Sequence, residues 1–588
     1  WVVTFVSFVQ AMSISVTVNL LSGTHATVTL PTDATVADLR QKAQRALQTP
    51  LGKLTSASGT LLGGFGTLTQ SGVHDGDTIT AVTRAVAVAA SYRAFALIRA
   101  DGSVVTWGCP DSGGDSNAVQ HNLHGVLQIQ AAEMGFAALR EDGVVVSWGN
   151  LAEEDESLDV DVHSCSLPSE ARDVRQIQAT RSAFAAIKED GSVITWGRRD
   201  AGGDSSEVRD QLHNVRLVQA ADRAFAALRT DGTVVTWGDV DMGGSSGHVQ
   251  SKLKDVVHIK GGGNGFSAIT ASGHVVSWGF VDVYDYERVP EIYNTTLLGV
   301  DHFQGCGSAW AAVSKDGQLA SWGPHCHEPS SKSRALDATE LRRMGEISCI
   351  QVCGHGDDLA FAALRKDGAV VTWGRHLGRD NSRLVQHQLV NVVQIQASDS
   401  AFAALRSDGT VVTWGDRRAA DPKAVQSQLQ NVKSIQATSQ AFAALREDGT
   451  VVAWGVGGYG GCTGAVQGQL KNVTRIQANC AAFAAIRADG SVVTWGSPGF
   501  GGDSMRVKEQ LGRSQEDDQI LSQALAEAAA AKATAQATRA KAKAKAKAKA
   551  KAKARPKGKT WATTATKATA KAKAKVNPRA RARRTARI

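Results

Sequence analysis

Between residues 391 and 429 the chain reads NVVQIQASDS, AFAALRSDGTVVTWG and DRRAADPKAVQSQL. VVQIQA alternates apolar and polar residues, the pattern of a strand with one buried face. AFAALR and TVVTWG are two further strand-like runs around Asp408-Gly409. Asp-Gly is a preferred hairpin turn because both central residues of a type I′ turn take positive φ. Phe402, Leu405, Val411 and Trp414 are expected to form the apolar face of this unit.

The same pattern recurs along most of the chain. A Trp-Gly pair stands at Trp107, Trp148, Trp196, Trp237, Trp278, Trp322, Trp373, Trp414, Trp454 and Trp495, with spacings of 41, 48, 41, 41, 44, 51, 41, 40 and 41 residues. Nine of the ten units keep Asp-Gly at the hairpin, and Ser272-Gly273 keeps the glycine. A fixed period near 41 residues means a solenoid, propeller or array. An all-β unit of that size cannot cover its own apolar face and is stabilised by stacking on its neighbours, and ring closure protects the sheet edges. The expected fold is therefore mainly β, a β-propeller of about ten repeats over residues 85–511, with the repeated Trp in the core. The first unit lacks the VQxQL segment, while the last continues past Trp495 to Val507–Leu511. Val86–Ala90 is predicted to dock beside 507–511 and close the ring; one ring, an open spiral and seven plus three units all remain open.

Residues 12–84 follow a different pattern. SISVTVNL and HATVTL are alternating runs around a Ser-Gly turn, a hairpin signature. Thr35 is placed to cap a helix whose apolar residues Val36, Leu39, Ala43, Ala46 and Leu47 fall at helical spacing. A short strand around KLTSASG and a last strand DTITAVT follow.

Composition changes the picture at the two ends. The net charge is +9, but residues 532–588 hold 21 Lys and Arg and no acidic residue, so residues 1–531 carry a net −12. KAKAKAKAKAKAKARPKGK and RARARR have no apolar face to bury, so a disordered basic tail is expected over 532–588, after a short Ala-rich helix at 512–531. The chain begins with Trp1, and Met12 is the expected start, with residues 1–11 an upstream or non-native segment. No apolar run approaches the length that crosses a bilayer, which excludes a helical channel or transporter. Eight scattered cysteines suit a reducing compartment, so the expected location is nuclear or cytoplasmic.

Candidate chemistry lies in the segments after Trp-Gly, where strands hold position and loops vary. Glu153, Glu154 and Asp155 open an acidic run in unit 2, and unit 5 carries Tyr284, Tyr286 and Tyr293; tyrosines with mixed charges suit a protein-binding rim. His325, Cys326, His327, Cys349, Cys353 and His355 fit no established zinc spacing, so no metal is expected. Gly-x-Ser-x-Gly, the phosphate-cradling Gly-x4-Gly-Lys-Ser/Thr and His-Glu-x-x-His are all absent, so neither an enzyme nor a cofactor is expected. In the tail, Lys541, Lys543, Lys545, Lys547, Lys549, Lys551, Lys553, Arg555, Arg581, Arg583 and Arg584 are expected to neutralise nucleic-acid phosphates without reading sequence.

These motifs carry two resemblances. The Ala-Leu strand, Asp-Gly turn and terminal Trp-Gly over 85–511 resemble the regulator of chromosome condensation repeat family, with Gly-Gly-Asp-Ser-x-x-Val-x-x-x-Leu at Gly113–Leu123, Gly202–Leu212 and Gly501–Leu511 in place of that family's Gly-Gln-Leu-Gly. The hairpin, helix and DGDTITAV ending over 12–84 resemble ubiquitin-like β-grasp domains, without a conjugatable Gly-Gly tail. The tail is similar to linker-histone tails in composition alone. The resemblances imply a non-enzymatic scaffold whose propeller loops bind a protein partner. Two alternatives are a HERC-like component acting with a separate catalytic ubiquitin-ligase chain and, as the founding member of the repeat family implies, nucleotide exchange on a small GTPase. Only 77 residues follow Leu511, none of them Cys, so ligase chemistry within this chain is not expected.

Overall fold

Among the described residues, each repeat reverses direction after its central strand at a glycine with positive φ, preceded by Asp except at Ser272-Gly273. Thirty strands, β5 to β34, run from Ala87 to Gly496 and form ten antiparallel sheets of three consecutive strands, blades 1 to 10. The computed structural model describes residues 13–512 except 32, 48–50, 60–61, 63–66, 84–85, 152–166, 169–170, 280–299, 307–308, 315–318, 323–346, 355–359 and 375–381. All of these belong to one unit ending at Glu516. The expected Ala-rich helix, basic tail and residues 1–11 lie outside the described residues.

The leading strands are β5 (Ala87–Ala90), β8 (Val126–Ala131), β11 (Val174–Ala179), β14 (Val215–Ala220), β17 (Val256–Gly261), β20 (Val300–Cys306), β23 (Ile347–Cys353), β26 (Val392–Ala397), β29 (Val432–Ala437) and β32 (Val473–Ala478). Each lies beside its counterparts in both neighbouring blades, and β32 lies beside β5. The ten blades therefore make one closed β-propeller with the leading strands innermost, which selects the single ring among the three arrangements. The seam is built as the complementary ends foretell. Val86, Val88 and Ala90 pack with Phe95 and Trp107 against Ala482, Ala484 and Ile486, and with Val507 and Leu511 from the last segment.

Three local readings need correction. In β26 the buried residues are Val392 and Ile395, three apart, because a bulge between Val392 and Gln394 shifts the register. The same irregularity interrupts the leading strands of blades 2 to 10, as in Val126/Gln128 and Val473/Arg475. Next, Phe402, Leu405, Val411 and Trp414 do not share one face. Phe402, Ala404, Val412 and Trp414 pack against Ala362, Leu364 and Val370 of blade 7, whereas Ala401, Ala403, Leu405 and Val411 pack against Phe442, Ala444, Val452 and Trp454 of blade 9. A blade between two neighbours is buried on both sides, so AFAAL reads as a continuous apolar run. Large Phe and Trp on one face meet small Ala on the next, as close packing between neighbouring blades requires. Finally, at the hairpin only the glycine has positive φ, +77° at Gly409, while Asp408 does not. The loop is the longer one closed by an αL glycine, with Gly409 N–H donating to Arg406 O and Arg406 N–H to Thr410 O. Asp408 Oδ1 accepts from the backbone N–H and the hydroxyl of Thr410.

The N-terminal module has strands β1 (Ser13–Leu20), β2 (His25–Pro31), β3 (Leu51–Thr55) and β4 (Thr78–Thr83), with helix α1 (Val36–Leu47) between β2 and β3. Sheet order is β2-β1-β4-β3, antiparallel except for the central parallel pair β1 and β4. Thr35 caps α1 reciprocally: its hydroxyl accepts from Asp38 N–H while Asp38 Oδ2 accepts from Thr35 N–H. Val36, Leu39 and Ala43 are buried and Leu47 packs against them, but Ala46 faces solvent. Leu54 is fully buried. Arg40 on the same helix is buried and stands 4.0 Å from Glu141 in the hairpin of blade 2.

Candidate functional site

A short turn joins the first and second strands of a blade, as in Ser398-Asp399-Ser400 before Ala401-Phe402, and its residues vary from blade to blade. These middle residues are joined backbone to backbone around the axis. Tyr92 N–H donates to Glu133 O, Glu133 N–H to Arg181 O, Arg181 N–H to Asp222 O and Asp222 N–H to Gly263 O, at 2.7–3.2 Å. Across the far arc Asp399 N–H donates to Ser439 O and Ser439 N–H to Cys480 O. At the seam the Cys480 thiol donates to Tyr92 O at 2.7 Å. The equivalent turns of blades 6 and 7 fall in 307–308 and 355–359, outside the described residues. The result is a hydrogen-bonded collar around one mouth of the axial channel.

The collar is acidic and only partly neutralised. Arg181 Nη2 stands 2.7 Å from Asp222 Oδ2, and its Nε 3.8 Å from Glu133 Oε2. Burial raises the Asp222 pKa, an effect that Arg181 opposes and Glu133 reinforces. Burial pushes the Cys480 thiol up to about 12, with the negative charges of Asp399 and Glu133 adding to it. At neutral pH it remains a protonated thiol, a hydrogen-bond donor rather than a nucleophile. The Tyr92 hydroxyl is also raised, first by Cys480, then by burial and by Glu133 and Asp399. Tyr92 keeps 48% of its surface exposed and meets Phe500 edge to face at 6.0 Å, and the Arg93 guanidinium lies 4.9 Å over the Phe500 ring.

The post-Trp-Gly turns gather at this same mouth. Ser91 Oγ–H donates to Ser112 O, Thr180 Oγ1–H to Ala201 O, Thr438 Oγ1–H to Tyr459 O and Asn479 Nδ2–H to Phe500 O, tying these four turns to the collar. Asn150 N–H donates to Met134 O beside Glu133, and Glu153, Glu154 and Asp155 follow in the chain. Those three residues and Tyr284, Tyr286 and Tyr293 lie outside the described residues, as do the eleven tail residues from Lys541 to Arg584. Of the metal candidates, Cys349 and Cys353 lie on β23, and His325, Cys326, His327 and His355 are outside the described residues. Among the described residues no group of three or more His, Cys, Asp or Glu converges to hold a metal ion, and no helix is long and apolar enough to cross a membrane.

Sequence reasoning passed over the collar by looking at long, atypical loops. The signal was a turn of fixed length whose residues vary from blade to blade, with Tyr92, Glu133, Arg181, Asp222, Gly263, Asp399, Ser439 and Cys480 at its middle position.

No protein-family profile matches the chain, and no curated protein is significantly similar to it. Among solved structures, Prp20p from Saccharomyces cerevisiae, described with its binding to Gsp1p and histones, is 16% identical over 52% of this chain and 78% of its own, with a TM-score of 0.29. Human WBSCR16 is 19% identical over 66% of this chain and 92% of its own, with a TM-score of 0.27. The designed protein Ika8 is 15% identical over 54% and 94%, with a TM-score of 0.26.

Proposed function

We propose that the chain is a non-enzymatic protein-binding scaffold and that its docking surface is the collar mouth. The observation that carries this reading is an exposed aromatic, Tyr92, in the negative field of Glu133 and Asp399 on a backbone fixed by hydrogen bonds from blade to blade. A rigid aromatic anchor in a negative field suits a basic segment of a partner, because the ring supplies contact area at low entropic cost and the field selects cations. The Lys/Arg tail would add sequence-independent attachment to nucleic acid, with binding that weakens steeply with salt. This combination is compatible with a nuclear or cytoplasmic protein.

Affinity capture with the full chain and with a Tyr92→Ala/Glu133→Gln/Asp399→Asn variant tests the reading. The saturable partners captured by the wild type should fall at least about tenfold with the variant, and unchanged capture would place the interface elsewhere. A second reading, a HERC-like component with a ubiquitin-like module, is favoured by the parallel β1–β4 pair at the centre of the N-terminal sheet. Enrichment of ubiquitin-conjugating enzymes that survives the triple variant would support it.

A further inference from the structure

Residues 1–531 carry a net −12, yet the ten leading strands contain a single carboxylate, Asp301 on β20. Against it stand Arg175, Arg216, Lys260, Lys433 and Arg475. Apart from β5 and β20, the bulge buries the first and fourth residues of these strands and leaves the second exposed, as at Arg175, Arg216 and Val393, so the exposed charges on the leading strands are predominantly cationic.

Arg175 on β11 and Arg216 on β14 occupy the same register position in consecutive blades. Arg175 Nη2 donates to Val215 O at 2.8 Å, and Arg216 Nη2 donates to Val257 O at 2.7 Å. Each guanidinium is therefore laid across the next leading strand and held by one nitrogen. Neither makes an ion pair among the described residues. Arg216 Nη2 also reaches Val256 O at 3.5 Å; a guanidinium has five N–H donors in a fixed plane, and carbonyl contacts through one nitrogen use only part of that capacity. The remaining donors of two neighbouring planes, already oriented, match the oxygens of phosphate groups better than flexible ammonium groups would.

We propose that the Arg175–Arg216 pair on adjacent leading strands binds a phosphate-bearing anion, independently of the protein-docking role of the collar. Phenylglyoxal, which modifies arginine, reads this residue by residue in the full chain, so binding by the basic tail does not confuse the result. Inorganic tripolyphosphate should slow modification of Arg175 and Arg216 at least about fivefold, leaving the outer, exposed Arg418 within about twofold. Protection by oligothymidylate but not tripolyphosphate would support the site and identify a phosphodiester source. Unchanged rates with both anions, or an equal fall at all three arginines, would overturn the proposal.

Discussion

The junction between blades 9 and 10 and that between blades 8 and 9 have the same core and different edges. Phe483 stacks on Trp495 at 5.0 Å and 18°, and Phe442 stacks on Trp454 at 5.3 Å and 16°. In the first junction Gly460, at φ +92°, lies flat against the Phe483 ring, and its carbonyl accepts the Trp495 Nε1–H at 2.9 Å. The same latch joins blades 1 and 2 through Gly113, 3 and 4 through Gly202, 4 and 5 through Gly243, and closes the ring between blades 10 and 1 through Gly501 and Trp107. Blade 8 has no glycine there: Arg417–Ala420 forms a helical turn, and Trp454 Nε1 is buried with no hydrogen-bond partner among the described residues. Aromatic stacking is thus set within each blade, and the glycine adds polar satisfaction across the junction.

The largest effect that would sharpen this contrast comes from Gly460→Ala. A Cβ there stands 2.6 Å from the Phe483 ring at a φ that L-residues rarely adopt, so the loss should be about 3 kcal/mol, read as a lower urea midpoint. A fall no larger than that of an ordinary surface substitution would break the latch account. Next comes the pair Trp495→Phe and Trp454→Phe. Removing the indole N–H orphans the Gly460 carbonyl in the first and removes an unpaired donor in the second, so Trp495→Phe should cost about 1–2 kcal/mol more. Equal midpoints for the two variants would contradict it.

The smallest effect concerns pH. Hydrogen bonds from Thr410 and Thr450 hold the Asp408 and Asp448 carboxyls below their usual range in the hairpins of blades 8 and 9. A depressed pKa contributes stability that is present above the unfolded value near 4 and lost as pH falls through the folded value. Both carboxylates are exposed and screened, so the contribution is small and shared by the two junctions. The difference between the two tryptophan variants should stay constant from pH 7 to pH 3 in urea titrations; a difference that changes with acid would mean that more than a neutral hydrogen bond separates them.

Much of the fold was legible because each repeat states it separately. Trp-Gly, Asp-Gly and the AFAAL run recur often enough to place three strands per unit, and the missing and surplus VQxQL segments foretold which ends meet. The Gly-Gly motif was legible as a pattern but not as a latch, since its purpose involves a ring and an indole in the next blade. The candidate site was not legible. Long loops drew attention by their composition, whereas Tyr92 and Glu133 gain meaning only when turns some 40 residues apart in the chain are joined at one mouth.

The sequence by itself determined the repeating unit, its hairpin and its buried aromatics, because local patterning controls strand formation and turn chemistry over a few residues. The tertiary structure decided that ten blades close into one ring, that a blade such as blade 8 is buried on both faces, and that the collar turns and the leading-strand cations belong to that one ring. Closure depends on the sum of small rotations between neighbouring blades and on the fit of Val86–Ala90 against Val507 and Leu511, and no single repeat contains that sum.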